Sequence, residues 1–310
     1  MCCVPTSRFV VRIWVIESSG MEAFLHQVLS GLANGGVYAS LALALVMIYR
    51  ATHLVNFAQG ELALCSTYLA SAMIGAKVPY WIAFVATVAI SFAVGMAIER
   101  AIIRPAMRGS VLSVVIVFIG LMVALNSLAG WIFGFTIRTF PSPFPANPPF
   151  GNHYIGSHEL GVAGVTLVML LLLYAFFRFT PLGLALRAVA ENPESSRLVG
   201  IRVGRMLALG WGLAAAIGAV AGMMIAPIVF LDTSMMSGVL LYAFAAALLG
   251  GIDSPGGAAF GGLLVGVLEN LVGAYLIGTE LKLTVALALI VGVLVVRPSG
   301  LFGKPVVTRV

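Results

Sequence analysis

The chain has 310 residues, of which 61% are hydrophobic and only 9% are charged, and its mean hydropathy is +1.10. Soluble domains carry about 25% charged residues, so this composition excludes an ordinary soluble protein. The net charge of +6 comes from basic clusters between apolar runs, which indicates contact with anionic lipid and not with nucleic acid.

The first twenty residues differ from the rest of the chain. Their apolar stretch, FVVRIWVI, is interrupted by Arg12 and is too short to cross a bilayer, and no convincing cleavage site makes it a signal peptide. Met21 then opens a sequence typical of a first membrane helix. We expect 1–20 to be a doubtful extension that the functional protein does not need; the alternative is an amphipathic surface segment. We expect 21–305 to form one transmembrane domain, with 306–310 as a C-terminal tail.

Nine apolar runs follow along the chain, at 27–49, 60–76, 80–98, 111–134, 160–177, 206–230, 238–252, 257–277 and 283–296. A membrane-spanning helix needs about 20 apolar residues, and these runs are continuous, unlike the alternating strands of a membrane barrel. The predicted fold class is therefore all-α: a polytopic helical membrane protein with about eight or nine transmembrane segments, some of them broken or re-entrant.

Arginine and lysine residues predict the orientation of the chain in the membrane. They concentrate in the loops 100–108 and 178–205 and in the segment 297–309, and the loops between these hold few. Because short basic loops stay on the cytoplasmic side, we expect these segments and the C-terminus to be cytoplasmic. Nine crossings would then place the N-terminus outside.

Two interruptions of the apolar runs are candidate parts of a transmembrane route. HLVNFAQGE, at 53–61, is either an ordinary loop or a broken helix whose free backbone groups line a cavity. LGGIDSPGG, at 249–257, is favoured as a tight turn over a re-entrant segment. We expect both segments to flank a route for a solute. The candidate route residues in them are Asn56, Gln59, Glu61, Gly250, Gly251 and Ser254.

Glu269 is an ionisable residue inside an apolar run, beside Asn270. A charge there should face the interior of the helix bundle, either to bond a neighbouring helix, which is the favoured interpretation, or to line the route. Nearby Gly261, Gly262 and Gly266 predict close packing between helices.

Motifs for catalysis are absent from the sequence. It contains no G-x-x-x-x-G-K-[ST] phosphate loop, no H-E-x-x-H and no G-x-S-x-G, and its histidines and cysteines lack the spacing of metal ligands. The chain is therefore not expected to be an enzyme, to hydrolyse ATP or to hold a metal or cofactor.

The polar, basic segment 178–205, which contains PLGLALRAVAENPESSRLVGI, resembles the coupling loop of ABC-importer permeases. We expect a short helix over about 186–203 that docks on a separate ATP-hydrolysing subunit. The candidate coupling residues are Arg187, Glu191, Asn192, Gly200 and Ile201. The segment departs from the usual E-A-A triplet, because Asn192 and Pro193 follow Glu191.

Together with that loop, three further segments resemble the Liv-type branched-chain amino acid permeases of bacterial ABC importers, and in particular the first permease of the pair. They are GLANGGVYASLALALVMIYRATHLVNFAQGELALCSTYL, ALLGGIDSPGGAAFGGLLVGVLEN and VRPSGLFGKP. The resemblance implies a multi-pass protein of the bacterial inner membrane that moves leucine, isoleucine and valine.

The same resemblance implies four kinds of partner: a second permease subunit, two ATP-binding subunits that hold the ATP, a periplasmic substrate-binding protein that carries most of the selectivity, and the lipid bilayer. Two alternatives remain open. One is a related ABC permease for urea or short amides. The other is an ion-coupled secondary transporter, for which Glu61 and Glu269 are the candidate coupling carboxylates.

Overall fold

A computed structural model describes residues 7–145, 156–278 and 281–303, without the side chains of 7–20 and Ile277. The predicted tail at 306–310 and part of the proline-rich loop after Thr136 lie outside these residues. The helices in chain order are α1 (Ser7–Thr52), α2 (Gln59–Gly75), α3 (Tyr80–Ile98), α4 (Arg104–Ala106), α5 (Val111–Phe133), α6 (Ser157–Phe179), α7 (Pro181–Glu191), α8 (Pro193–Leu198), α9 (Val203–Val229), α10 (Met235–Gly250), α11 (Pro255–Val272) and α12 (Lys282–Val296), with π-helical turns at Glu99–Ile103 and Gly273–Ile277.

Each of the nine predicted apolar runs contains a helix, which confirms the all-α fold class. In the described part of the chain, six helical segments are long and apolar enough to cross a membrane. They are Met21–Thr52, Tyr80–Ala106, Val111–Phe133, Ser157–Phe179, Val203–Val229 and Pro255–Leu276. Helices α2, α10 and α12 are shorter, with 17, 16 and 15 residues.

Helix α1 begins at Ser7, upstream of Met21, and the candidate membrane span within it is Met21–Thr52. Between Ser7 and Met21 the sequence contains no proline and only one glycine, Gly20, so nothing there interrupts helical hydrogen bonding. The apolar crossing portion still lies after Met21.

Helices α1 and α9 form the centre of the bundle. In their most apolar windows, 83% of the α1 residues and 72% of the α9 residues are buried, against 17% for both α5 and α6. The outer helices expose large apolar side chains such as Leu112 and Leu172. This arrangement suits a protein whose outer surface faces lipid tails and not water.

Glycines allow the backbones of α1 and α11 to touch. Gly31 faces Gly266, and Gly35 faces Gly262, so the two helices run antiparallel in close contact. Gly261 lies against Ala246 of α10. The predicted packing role of the glycines in α11 is confirmed, since a side chain at these positions would meet the backbone of the neighbouring helix.

The two ends of the bundle are built from different parts of the chain. At one end, a single cavity lies between the end of α1, helix α7 and the starts of α9 and α11. It is lined by Arg50, Arg187, Met206 and Pro255, among others. We call this the basic end. At the opposite end, Arg138 and Leu231 form an isolated antiparallel bridge with two N···O distances of 2.9 Å.

Candidate functional site

The first interruption, between α1 and α2, lies inside the protein. Asn56, Ala58 and Gln59 are completely buried. The Gln59 side chain reaches Ala214, which at about 1.5 Å per residue lies about 16 Å along α9 from its start. Since the hydrocarbon core of a bilayer is about 30 Å thick, helix α2 begins near the middle of the membrane.

The two buried amides at this interruption are only partly hydrogen-bonded. Asn56 Oδ1 accepts from the Ala58 N–H at 3.1 Å, and Gln59 Nε2 donates to the Ala214 carbonyl at 2.8 Å. Asn56 Nδ2 and Gln59 Oε1 have no partner among the described residues. In the described part of the chain, four buried side-chain polar atoms have no hydrogen-bond partner, and two of these four lie within this one turn.

Glu61 lies in the first turn of α2 and is half-buried. Its carboxylate accepts from Asn126 Nδ2 at 3.0 Å, and the same amide donates to the Thr233 carbonyl at 2.7 Å. A polar chain therefore joins α2, α5 and the segment before α10. The sequence analysis did not single out Asn126, which lies with Ser127 in an otherwise apolar run.

The second interruption, between α10 and α11, is a compact turn. Gly251 has φ +105°, and a Cβ there would meet the backbone of Gly303. The N–H groups of Leu301 and Phe302 donate to the carbonyls of Leu249 and Gly250 at 2.8 and 3.1 Å. The C-terminal segment thus covers this turn and hydrogen-bonds its backbone.

Ser254 begins α11. Its Oγ accepts from the Gly257 N–H at 3.1 Å, as an N-cap, and Pro255 occupies the first helical position, where its missing N–H is not needed. Of the two predicted route segments, only the first contains buried side-chain polar atoms without a partner among the described residues.

Glu269 is buried among four helices. It accepts from the Tyr38 hydroxyl at 2.8 Å, and its other carboxylate oxygen lies 3.9 Å from Lys282 Nζ. Lys282 also donates to Asn270 Oδ1 at 2.9 Å, and Tyr242 stacks on Tyr38 with ring centroids 4.9 Å apart. These contacts are the inter-helix bonding that was favoured from the sequence, although the sequence did not identify the partners.

The coupling loop contains two short helices, α7 and α8, and not the single helix expected over about 186–203. Pro193 is the reason, because a residue before proline avoids the helical conformation. Asn192 is extended (φ −153°, ψ 101°), and its Oδ1 caps α8 by accepting from the Ser195 N–H at 2.9 Å.

Gly200 ends α8 in the left-handed conformation, with φ +85°. Its N–H donates to the Arg197 carbonyl at 3.0 Å, as in a glycine C-cap. Ile201 follows, packing with Val189 and Val203 and so holding the loop against α7 and α9.

An ion pair joins the coupling loop to α1. Arg50 Nη2 lies 3.2 Å from Glu191 Oε2. Arg187 lies one turn earlier in α7 and lines the apolar cavity of about 280 Å³ at the basic end, together with Arg50. Glu191 is therefore connected to the helix that leads into the first interruption.

The tip of the coupling loop carries exposed apolar residues. Leu198 and Val199 are 89% and 76% exposed, although they lie in a loop rich in arginine. Exposed apolar groups framed by charge are typical of a surface that another protein covers.

Comparison with known proteins agrees with this architecture. A family model described as the permease component of a branched-chain amino acid transport system matches residues 27–294. The high-affinity branched-chain amino acid transport system permease protein LivH of Salmonella typhimurium is 34% identical, covering 93% of this chain and 98% of that protein. LivH of Escherichia coli strain K12 and the corresponding protein BraD of Pseudomonas aeruginosa are each 33% identical, with the same two coverages.

Proposed function

The chain belongs to the family of permease components of branched-chain amino acid transport systems, and we propose that its own cargo is leucine, isoleucine and valine. The observation that carries this proposal is the extent of the match, which runs from α1 to α12 and includes the whole bundle around the buried interruption. As the permease of an ABC system, this multi-pass membrane protein would form the path of the amino acid through the membrane, and its partners would supply the energy from ATP.

We further propose that two ATP-binding subunits, a second permease subunit and a periplasmic substrate-binding protein complete the importer. The sequence has no phosphate loop, so ATP would be bound by the partners and this chain would need no cofactor. The basic end would face the cytoplasm of the bacterial inner membrane, with the C-terminus on that side, as the arginine-rich loops favour.

The docking surface for the ATP-binding subunit would be the α7–α8 loop. Leu198 and Val199 offer apolar contact at its tip, while the Arg50–Glu191 pair connects it to the membrane bundle. Four further residues would hold the loop in its conformation. Asn192 and Gly200 would cap α8, Ile201 would pack against α7 and α9, and Arg187 would line the cavity at the basic end.

The proposed route passes the first interruption, with Asn56, Gln59 and Glu61 beside it. Support comes from the burial of the two amides and from their unpartnered atoms. The other candidate route residues, Gly250, Gly251, Ser254 and Glu269, would have a structural role beside the route, through the capped turn and the inter-helix contacts described above.

Reconstitution tests the function. Proteoliposomes containing this permease, its genomic partner subunits and the binding protein should accumulate labelled leucine when ATP is enclosed, and vanadate should stop uptake because hydrolysis drives it. Uptake of urea in place of leucine would favour the short-amide alternative. Uptake driven by an ion gradient without ATP would overturn the ATP-driven proposal.

Docking is tested at the loop tip. Leu198→Ser combined with Val199→Ser should weaken binding of the ATP-binding subunit by about tenfold or more, since loss of a central apolar contact commonly has that effect. The matched control is Leu112→Ser, because Leu112 is 68% exposed on α5, outside the loop. Equal affinities for the two variants, measured by pull-down titration, would contradict the assignment.

A further inference from the structure

We propose that the side-chain amides of Asn56 and Gln59 bind the main-chain carboxylate and ammonium of the transported amino acid in the middle of the membrane. The inference rests on the proposed function, because it takes the cargo to be a free α-amino acid. It adds which part of the cargo the permease recognises: the main chain, which all such cargoes share, and not the side chain.

The hydrogen bonds already present determine which amide atoms remain free. Asn56 uses its oxygen to accept from Ala58, so its NH₂ group is the free donor. Gln59 uses its NH₂ group to donate to Ala214, so its oxygen is the free acceptor. The free pair is one donor and one acceptor, which matches a carboxylate and an ammonium group.

The position of the pair suits a zwitterion. Asn56 and Gln59 are joined through the Gln59 N–H to Asn56 carbonyl bond of 3.3 Å, at the start of a 17-residue helix. The residue before that helix is Ala58, whose apolar side chain cannot cap the N–H groups of the first turn. The Glu61 carboxylate in the same turn attracts the ammonium group of the cargo. The free donor of Asn56 can bind the carboxylate of the cargo. A zwitterion is neutral overall, so its binding adds no net charge to the membrane interior.

Apolar residues beside the interruption suit the side chains of the cargo. The α10 residues Met236 and Leu240 are the nearest neighbours of Gly60. Phe57 contacts Phe244 with ring centroids 5.8 Å apart. Such a surface accepts leucine, isoleucine and valine alike, since one methylene in an apolar pocket changes affinity only modestly.

The described conformation is closed around the pair. Asn56 and Gln59 have no exposed surface, and Gln59 packs against Gly218 of α9. A cargo can therefore reach the two amides only in another conformation, in which helices packed around this interruption are further apart. Buried unpartnered groups are costly, and their presence at a helix interruption indicates that they gain partners in another conformation.

The test uses the reconstituted importer with all partners and with wild-type protein as reference. Asn56→Asp keeps the oxygen that caps Ala58 and removes the free donor, Asn56→Ala removes both groups, and Gln59→Met keeps the length of the side chain. Each should lower leucine uptake by about tenfold or more, which is the usual effect of losing a hydrogen bond to a charged group, while ATP hydrolysis stays within about twofold.

Thr67→Val is the matched control. Thr67 is equally buried in the same helix, but its hydroxyl is satisfied by the Ala63 carbonyl at 2.8 Å. Its uptake should stay within about twofold of wild type. The assembly of every variant is measured by size-exclusion chromatography, so that loss of uptake is counted only for assembled importers.

Three outcomes are decisive. Assembled variants of Asn56 and Gln59 that transport like Thr67→Val would overturn the inference and leave the proposed function intact. Failure of every Asn56 and Gln59 variant to assemble would make the two amides structural and would also overturn it. If the wild-type importer accumulates no α-amino acid, the proposed function fails first, and the inference fails with it.

Discussion

The two helix interruptions of this bundle are built in opposite ways. Between α10 and α11, the free carbonyls of the turn accept N–H groups from the C-terminal segment, and Ser254 caps the next helix. Between α1 and α2, two buried amides keep a free donor and a free acceptor. Helix-breaking residues therefore show where a membrane chain bends, whereas the hydrogen bonding of its polar groups shows whether the bend is structural or available to a ligand.

The largest expected effect is a test of the compact turn. Gly257→Ala should lower the free energy of unfolding by about 1–3 kcal/mol, because the new Cβ would press on the Gly250 carbonyl and on Phe302. Thermal unfolding of the purified permease measures the loss. Gly256→Ala is the control, since a Cβ there meets nothing within 4 Å. Equal stability of the two variants would show that the turn is loosely packed.

A smaller effect is expected at the helix cap. Ser254→Ala should cost about 1 kcal/mol, the usual value of an N-cap, while uptake per assembled importer stays unchanged. Ser254→Thr keeps the capping oxygen and should retain most of the stability. A loss of uptake in assembled Ser254→Ala importers would place the second interruption on the route and so contradict its purely structural role.

The smallest effect on stability is expected at the ion pair that leads to the first interruption. Arg50→Glu should change the free energy of unfolding by less than about 1 kcal/mol, because Glu191 is largely exposed. Leucine uptake per ATP hydrolysed should nevertheless fall several-fold, since the ion pair that links α7 to α1 is lost.

The reversed pair, Arg50→Glu with Glu191→Arg, should restore much of the coupling. Arg178→Glu makes the same change of charge at an exposed position in the last turn of α6 and serves as the control. If the single variants and the reversed pair transport equally well, the ion pair has no part in coupling.

Sequence reasoning succeeded where hydropathy decides the structure. All nine apolar runs are helical, and the glycines of α11 pack as expected, because both properties depend on local composition. It failed in the coupling loop, where Pro193 divides the expected single helix into two, an effect that the sequence itself contained.

The polar partners could not be predicted. Tyr38 and Glu269 are 231 residues apart in the chain, and Asn126 lies 65 residues from Glu61. Such pairs depend on how the helices assemble, which apolar periodicity does not specify. The unpartnered atoms of Asn56 and Gln59 were equally inaccessible, because only a count of nearby donors and acceptors reveals them. The roles of the route and coupling residues remain predictions.

The glycine contacts have a mechanical consequence. Backbones that touch have no side-chain layer on which to slide, so α1 and α11 should move as one rigid body. Gly95 and Gly212 join α3 to α9, and Gly218 lies against Ala63 of α2, which makes a second body. The chain passes from the first body to the second at 53–58. We therefore expect the hinge of the permease to lie at 53–58, a segment that contains Asn56 and adjoins Gln59.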